Sequence, residues 1–116
     1  MKPVRWIGSS LKDLRELPGI VQDHMGYALY VAQCGGKHRD AKTLNGFGGA
    51  GVVEVVTDFR SDTFRAVYTV RYAEAVYVLH VFQKKSKSGR ETPHRDIELV
   101  RRRLREAAEI SEERMQ

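Results

Sequence analysis

The sequence predicts a small α+β domain, in which helices pack on a mostly antiparallel sheet. Three observations support this fold class: two helical stripes of apolar residues near the N-terminus, three strand-like segments in the centre, and a helix start near residue 92. With 116 residues, 41% hydrophobic and 30% charged, the chain is long enough for one core but not for two. We therefore expect one domain over residues 1–116, with residues 111–116 as a frayed tail.

The N-terminal part predicts a short strand over residues 4–8, followed by two helices on one face of the sheet. Ser9 or Ser10 can cap the first helix, and Pro18 ends that helix and can sit in the first turn of the next. The second helix has apolar residues spaced by four, three, one and three positions, as one buried helical face requires. These residues are Val21, Met25, Ala28, Leu29 and Ala32.

The central part predicts three strands after a glycine-rich connection. The connection covers residues 37–51, and the strands cover residues 52–59, 64–72 and 75–83. The second strand alternates in its side chains, which predicts one buried face with Phe64, Tyr68 and Tyr72 and an opposite face with Arg65 and Arg71. The third strand is nearly uncharged, as is typical of a central strand buried on both faces.

The last two predicted strands bring basic residues towards one another. The third strand runs directly into Lys84 and Lys85. In a hairpin with a tight turn at residues 73–74, Arg65 and Arg71 lie near these lysines on fixed backbone. The sequence therefore predicts a cationic platform on the hairpin.

A basic helix is predicted to end the chain. Thr92 is a suitable N-cap residue, and Pro93 suits the first helical position. The expected buried stripe consists of Ile97, Val100, Leu104 and either Ala107 or Ala108.

Basic residues are concentrated in the C-terminal half of a chain whose net charge is +5. Between residues 84 and 105 they are opposed only by Glu91, Asp96 and Glu98. Such clustering is typical of proteins that bind a polyanion, either nucleic acid or an acidic protein segment. A solvated helix face produces the same pattern, so charge alone leaves both interpretations open.

Several other classes of protein are disfavoured by the sequence. No apolar run approaches membrane-spanning length and the N-terminus lacks the apolar core of a signal peptide, so we expect a cytoplasmic protein without a membrane partner. The single Cys34 can form neither an internal disulfide nor a cysteine-rich metal site. No metal motif, dinucleotide-binding loop or nucleophile triad is recognisable, and we expect no metal and no small-molecule cofactor.

A succession of segments resembles a known family over nearly the whole chain. The segments are the two N-terminal helices, the glycine-rich residues 46–51, residues 64–68, the Val-Leu-His-Val-Phe-Gln-Lys-Lys-Ser stretch at residues 78–86, and Thr92-Pro93. Together they resemble the HigB-type, phage-derived branch of the RelE/ParE toxin superfamily. The resemblance implies a RelE-like fold and a toxin that is encoded beside a helix-turn-helix antitoxin. It further implies that the toxin cuts mRNA on the ribosome without a metal.

The resemblance also implies roles for individual residues. Arg65 resembles the strand arginine that RelE-like nucleases use on the scissile phosphate, and Lys84 and Lys85 fall where the family has basic catalytic or RNA-gripping residues. The lysines that RelE carries on the preceding strand are missing here, and Glu54 stands in that region instead. The expected RNA-binding residues are Arg71, Lys87 and Arg90.

Metal-free RNA cleavage needs a base for the 2′-hydroxyl, cations for the developing charge and an acid for the leaving oxygen. Arg65 suits the phosphate because its planar fork makes bidentate contacts and stays charged. Glu54 is a candidate base, His80 a candidate base or acid, and Lys84 or Lys85 a candidate proton donor.

Each candidate also has a structural interpretation. Arg65 can be a surface residue paired with Asp58 or Asp62, and Glu54 can be a salt-bridge partner of Arg65 or Arg71. His80 can be a core histidine with satisfied hydrogen bonds. The lysines can protect a sheet edge against pairing with another chain.

A second hypothesis keeps the fold and changes the activity, since one fold can carry several functions. Toxins of the ParE kind inhibit DNA gyrase by protein–protein contact and are not catalytic. A nuclease needs Arg65 and the lysines around a phosphate-sized site, whereas a gyrase inhibitor does not. A basic RNA-binding module without catalysis is a third alternative.

Overall fold

The computed structural model describes residues 1–84 and 92–115. The elements are β1 (Val4–Trp6), α1 (Ser10–Arg15), α2 (Gly19–Gln33), β2 (Ala41–Thr43), β3 (Val52–Phe59), β4 (Asp62–Thr69), β5 (Val76–Lys84) and α3 (His94–Arg114). The strands form one sheet in the order β1-β5-β4-β3-β2, in which only the β1–β5 pair is parallel. The predicted α+β class is confirmed. Within the described residues, no helix combines the length and the apolar character needed to cross a membrane.

Helices α1 and α2 cover one face of the sheet. All five residues of the predicted α2 stripe are buried, because their spacing places them on the side of the helix that faces the strands. They pack in one cluster with Val55, Phe64 and Tyr68 of the sheet and with Leu14 of α1. The stripe is therefore confirmed residue by residue.

Helix α3 covers the opposite face. Val100 and Ala107 are fully buried against a cluster that includes Val67 and Leu79. Because helices lie on both faces, β5 is buried over most of its length, as the lack of charge in this segment predicts. The sheet is thus the middle layer of a three-layer structure.

Strand β5 contains a register shift that changes which residues face α3. Val78 pairs with Tyr68, but His80 pairs with Val67, so Leu79 is an extra residue on β5. Leu79 packs in the α3-side cluster, and His80 hydrogen-bonds to Asp96 of α3. Two consecutive side chains therefore point to the same face.

Strand β2 lies inside the segment that the sequence predicts as a connection. It pairs with β3 through Ala41–Val55, Lys42–Glu54 and Thr43–Val53. Three residues are too few to show an alternating pattern, and the glycines that follow indicate a loop.

Strand β4 ends at Thr69, three residues before the predicted end. The Thr69 hydroxyl donates to the carbonyl oxygen of Ala50 at 2.7 Å and accepts from the backbone N–H of Arg71 at 3.2 Å, so the chain turns into the connection here. Tyr72 consequently packs on the α3 side, 5.5 Å from Tyr77 between ring centroids, and not beside Tyr68 as predicted.

Helix α3 begins and ends differently from the prediction. It starts at His94 with Pro93 in the cap position, and the hydroxyl of Thr92 bonds to Glu54 instead of capping the helix. At the other end, Ser111 is buried and hydrogen-bonded to Glu74, so the helix continues to Arg114 where the sequence predicts a frayed tail.

Two of the clustered arginines of α3 form hydrogen bonds with other segments of the same chain. Arg103 donates to the carbonyl oxygen of Leu79 at 3.0 Å and to the hydroxyl of Ser9 at 3.1 Å. Arg101 donates to the carbonyl oxygen of Gly46 at 3.2 Å. Part of the basic clustering therefore has a structural cause, because these arginines fasten α3 to the segments around it.

The buried stripe of α2 predicts a sharp contrast between two positions of one helix. Met25 is fully buried whereas Ile20 is 63% exposed. Met25→Ala should lower the free energy of unfolding by about 2–5 kcal/mol, because it removes buried methylenes and leaves a cavity. Ile20→Ala is the control and should change it by less than about 0.5 kcal/mol. Urea denaturation measures both values, and equal losses would contradict the assignment of the stripe.

Candidate functional site

The sheet register brings most of the predicted catalytic residues to one face. Val67 is the register partner of both Glu54 and His80, and Arg65 is two positions from Val67 on the same strand. Directly opposite residues share a face and side chains repeat every two positions, so all of these side chains point towards α3. Lys84 pairs with Thr63, two positions before Arg65, and so joins the same face.

Glu54 and Arg65 form a buried ion pair. Nη1 of Arg65 lies 2.6 Å from Oε1 of Glu54, and the two side chains are only 6% and 3% exposed. This pairing is one of the alternatives left open by the sequence. The predicted surface pairing of Arg65 with Asp58 or Asp62 is wrong, and Asp58 accepts from the Thr63 hydroxyl instead.

Thr92 extends the ion pair into a hydrogen-bond network. Its hydroxyl donates to Oε2 of Glu54 at 2.7 Å and accepts from Nη1 of Arg65 at 3.3 Å. Buried ion pairs are stable only when further hydrogen bonds satisfy the remaining atoms, because both ions lose their water. Thr92 supplies such bonds at the point where the chain enters α3.

A cleft opens beside this network. It has a volume of about 420 Å³, and its walls include Glu54, Arg65 and Thr92 together with Lys42 and Asn45. Lys42 is the register partner of Glu54 on β2 and is exposed. The cleft therefore combines a carboxylate, a guanidinium, an ammonium and a side-chain amide, which is a suitable set of groups for a phosphate and a neighbouring hydroxyl.

Sequence reasoning missed Lys42, Asn45 and Thr92 as site residues. Lys42 and Asn45 fall in the segment predicted as a connection, and only the pairing of β2 with β3 reveals their position. Thr92 carried a recognisable signal, but the Thr-Pro pattern indicated a helix cap and not a hydrogen bond to the sheet.

His80 links β5 to the start of α3. Its Nε2 lies 2.7 Å from Oδ1 of Asp96, and its ring stacks on Phe82 with 4.4 Å between centroids. Nδ1 is buried and has no hydrogen-bond partner among the described residues. The neutral form with the proton on Nε2 satisfies this arrangement, because the charged ring would place a second N–H at the unpartnered position.

The pKa of His80 is shifted below its ordinary value. Burial is the largest cause, and the hydrogen bond and negative charge of Asp96 oppose it. Near neutral pH His80 is therefore an uncharged residue that positions α3 on the sheet. This geometry favours the structural interpretation of His80. The hydrogen bonds of the ring are not all satisfied, however, because Nδ1 has no partner among the described residues.

Lys84 and Arg71 are not among the residues in the wall of the cleft. Lys84 is the last residue of β5 and is 8% exposed. Arg71 is exposed and lies after the end of β4, so it does not continue the strand that carries Arg65. A platform that joins Arg71 to Arg65, and an RNA-binding role of Arg71, stay predictions. Lys85, Lys87 and Arg90 lie outside the described residues.

The environment of His80 predicts a specific dependence of stability on pH. Since burial lowers the folded-state pKa, the unfolded chain takes up a proton first as the pH falls below about 6.5, and the free energy of unfolding decreases. Urea denaturation at several pH values should show this loss in the native protein and a shallower one in His80→Gln, whose amide nitrogen can replace Nε2. His94→Gln is the control, because the side chain of His94 is 87% exposed. Equal slopes for the native protein and His80→Gln would contradict the assignment.

Comparison with known proteins gives the family. Residues 12–105 match the family model of phage-derived Gp49-like proteins (DUF891). No curated protein and no solved structure matches the chain. The Gp49-like family is a toxin family of toxin–antitoxin modules within the RelE/HigB-like superfamily, and an antitoxin partner follows from it. The match spans most of the sequence, and the chain belongs to the phage-derived Gp49-like toxin family.

Proposed function

We propose that this toxin is a HigB-type, ribosome-dependent endoribonuclease that cuts mRNA without a metal and so inhibits translation in the cytoplasm. The observation that carries the proposal is the cleft beside the Glu54–Arg65–Thr92 network, with Lys42 at its rim. The toxin family and the resemblance to the HigB-type branch supply the reaction class. A helix-turn-helix antitoxin is the proposed partner that silences it.

The proposed reaction starts with an exchange of partners at Arg65. In the free protein the guanidinium is held by Glu54 at 2.6 Å. A phosphate that enters the cleft competes for the guanidinium fork, since phosphate and carboxylate accept the same bidentate hydrogen bonds. The exchange releases one carboxylate oxygen of Glu54 beside the bound phosphate.

Glu54 then acts as the base and Arg65 as the phosphate-binding cation. The 2′-oxygen forms a bond to phosphorus as its proton moves to Glu54, and the bond from phosphorus to the 5′-oxygen breaks. Arg65 stabilises the charge that develops on the phosphate oxygens, with Lys42 as a second cation. Lys84 and Lys85 are the candidates for the acid that protonates the leaving oxygen. Arg71, Lys87 and Arg90 are proposed to hold the RNA backbone.

One observation favours a second function. The ion pair of Glu54 and Arg65 is hydrogen-bonded by Thr92 and almost fully buried, as expected for a pair that fixes the fold. In a ParE-like toxin that inhibits DNA gyrase by protein contact, the network has this structural role alone. The two functions therefore differ in whether Glu54 and Arg65 are needed for activity or only for stability.

Primer extension on mRNA with purified ribosomes distinguishes the two functions. The native protein should produce ribosome-dependent cuts, and Glu54→Gln should slow them by about 10²- to 10⁴-fold, the usual contribution of a general base. Lys42→Ala should slow cutting while leaving the fold unchanged, because Lys42 is exposed. Arg15→Ala is the matched control, since Arg15 is an exposed arginine at the end of α1.

Circular dichroism and urea denaturation of each variant separate lost chemistry from lost folding. Cleavage by folded Glu54→Gln at the native rate would refute Glu54 as the base. An absence of cuts by the native protein, together with inhibition of gyrase supercoiling, would overturn the nuclease proposal in favour of the ParE-like function.

A further inference from the structure

Three potential metal ligands meet on the side of the sheet that α2 covers. They are His24 on α2, and His38 and Asp40 in the connection between α2 and β2. One ligand atom from each residue lies within 4.8 Å of the others. This cluster has no part in the cleft at Glu54 and Arg65, which lies on the opposite face of the sheet.

His24 is held in an orientation that suits a metal ligand. Its Nδ1 lies 2.6 Å from the hydroxyl of Thr57, a buried residue of β3, and its Nε2 lies 2.8 Å from Oδ2 of Asp40. Metal-binding histidines commonly use one ring nitrogen for the metal and fix the ring by a hydrogen bond from the other. Thr57 is in the position of that second partner.

Nε2 of His24 and Oδ2 of Asp40 are close enough either to share a proton or, after a small shift, to bind one metal ion. A nitrogen and an oxygen 2.8 Å apart share one hydrogen in the metal-free protein. In a tetrahedral zinc site, bonds of about 2.0–2.1 Å place ligand atoms roughly 3.3 Å apart. A shift of about half an ångström, within reach of two side chains that are partly exposed, is therefore sufficient.

His38 supplies the third ligand. Its Nδ1 lies 3.9 Å from Oδ2 of Asp40 and accepts the backbone N–H of Asp40 at 3.0 Å. The ring is 10% exposed and packs edge-on against the rings of His24 and Tyr27, at 5.1 and 5.5 Å between centroids. Binding through Nδ1 replaces the backbone hydrogen bond with a bond to the metal.

The cluster is accessible from solvent. The Asp40 side chain is 47% exposed, and a cavity of about 370 Å³ lies beside it, with His24 and Thr57 also in its wall. Two imidazoles and one carboxylate suit Zn²⁺, and a water molecule reaching the cluster through this cavity can supply the fourth ligand.

We propose that His24, His38 and Asp40 form a Zn²⁺ site that fastens the connection before β2 to α2 and β3. This differs from the sequence-based expectation of no metal, because a His-x-Asp pair and a histidine fourteen residues earlier form no recognised motif. Asp40 immediately precedes β2, so the ion anchors the start of the strand that carries Lys42.

Calorimetric titration of the chelator-stripped, tag-free protein with Zn²⁺ tests the site. The native protein should show one saturable site, and Asp40→Asn and His24→Gln should lose it. Thr57→Val should weaken binding by about 10- to 100-fold, as expected for loss of an orienting partner. His94→Gln, an exposed histidine on α3, should bind as the native protein does.

Cobalt substitution provides an independent readout. Co²⁺ bound to the native protein should show the visible absorption of a four-coordinate ion, and Asp40→Asn should not. Asp40 is largely exposed, so this variant is expected to fold even if His24→Gln does not. The proposal is overturned if the native protein lacks a saturable site, or if folded Asp40→Asn binds Zn²⁺ with native affinity.

Discussion

The buried ion pair of Glu54 and Arg65 is the constraint around which one side of the molecule is arranged. Each ion loses its water, and the cost is several kcal/mol per ion unless hydrogen bonds replace the lost solvent. The pair therefore fixes three elements at once: β3 carries the carboxylate, β4 carries the guanidinium, and Thr92 brings in the chain that begins α3. Helix α3 is therefore positioned on the sheet both by this network and by the apolar contacts of Val100.

Strong local periodicity explains what could be predicted from the sequence. The apolar spacing of α2 fits only a helix, and the nearly uncharged segment of β5 is typical of a central strand. Strand β2 could not be found because its stability comes from pairing with β3 and not from its own residues. The early end of β4 depends on a hydrogen bond from Thr69 to Ala50, a long-range contact that no local pattern contains.

The candidate site was predictable in its residue types but not in its geometry. Glu54 stands out as a charge inside an apolar run, and Arg65 stands out through its resemblance to the strand arginine of RelE-like nucleases. Whether they meet each other or the solvent depends on the register between β3 and β4 and on the cover provided by Thr92. Lys42 and the His24 cluster depend on contacts between segments far apart in sequence, so composition and spacing could not reveal them.

The extra residue in β5 reverses the alternation of side chains between the two faces of the sheet. Before the shift, Tyr77 and Leu79 point into the α3-side core; after it, His80 and Phe82 take over the same face with the opposite parity. One strand therefore contributes apolar packing against α3 through Leu79 and a hydrogen bond to α3 through His80. Deletion of the extra residue would remove Leu79 from the core and still leave His80 opposite Val67 on the α3 side, because the shift lies between the pairs Tyr68–Val78 and Val67–His80.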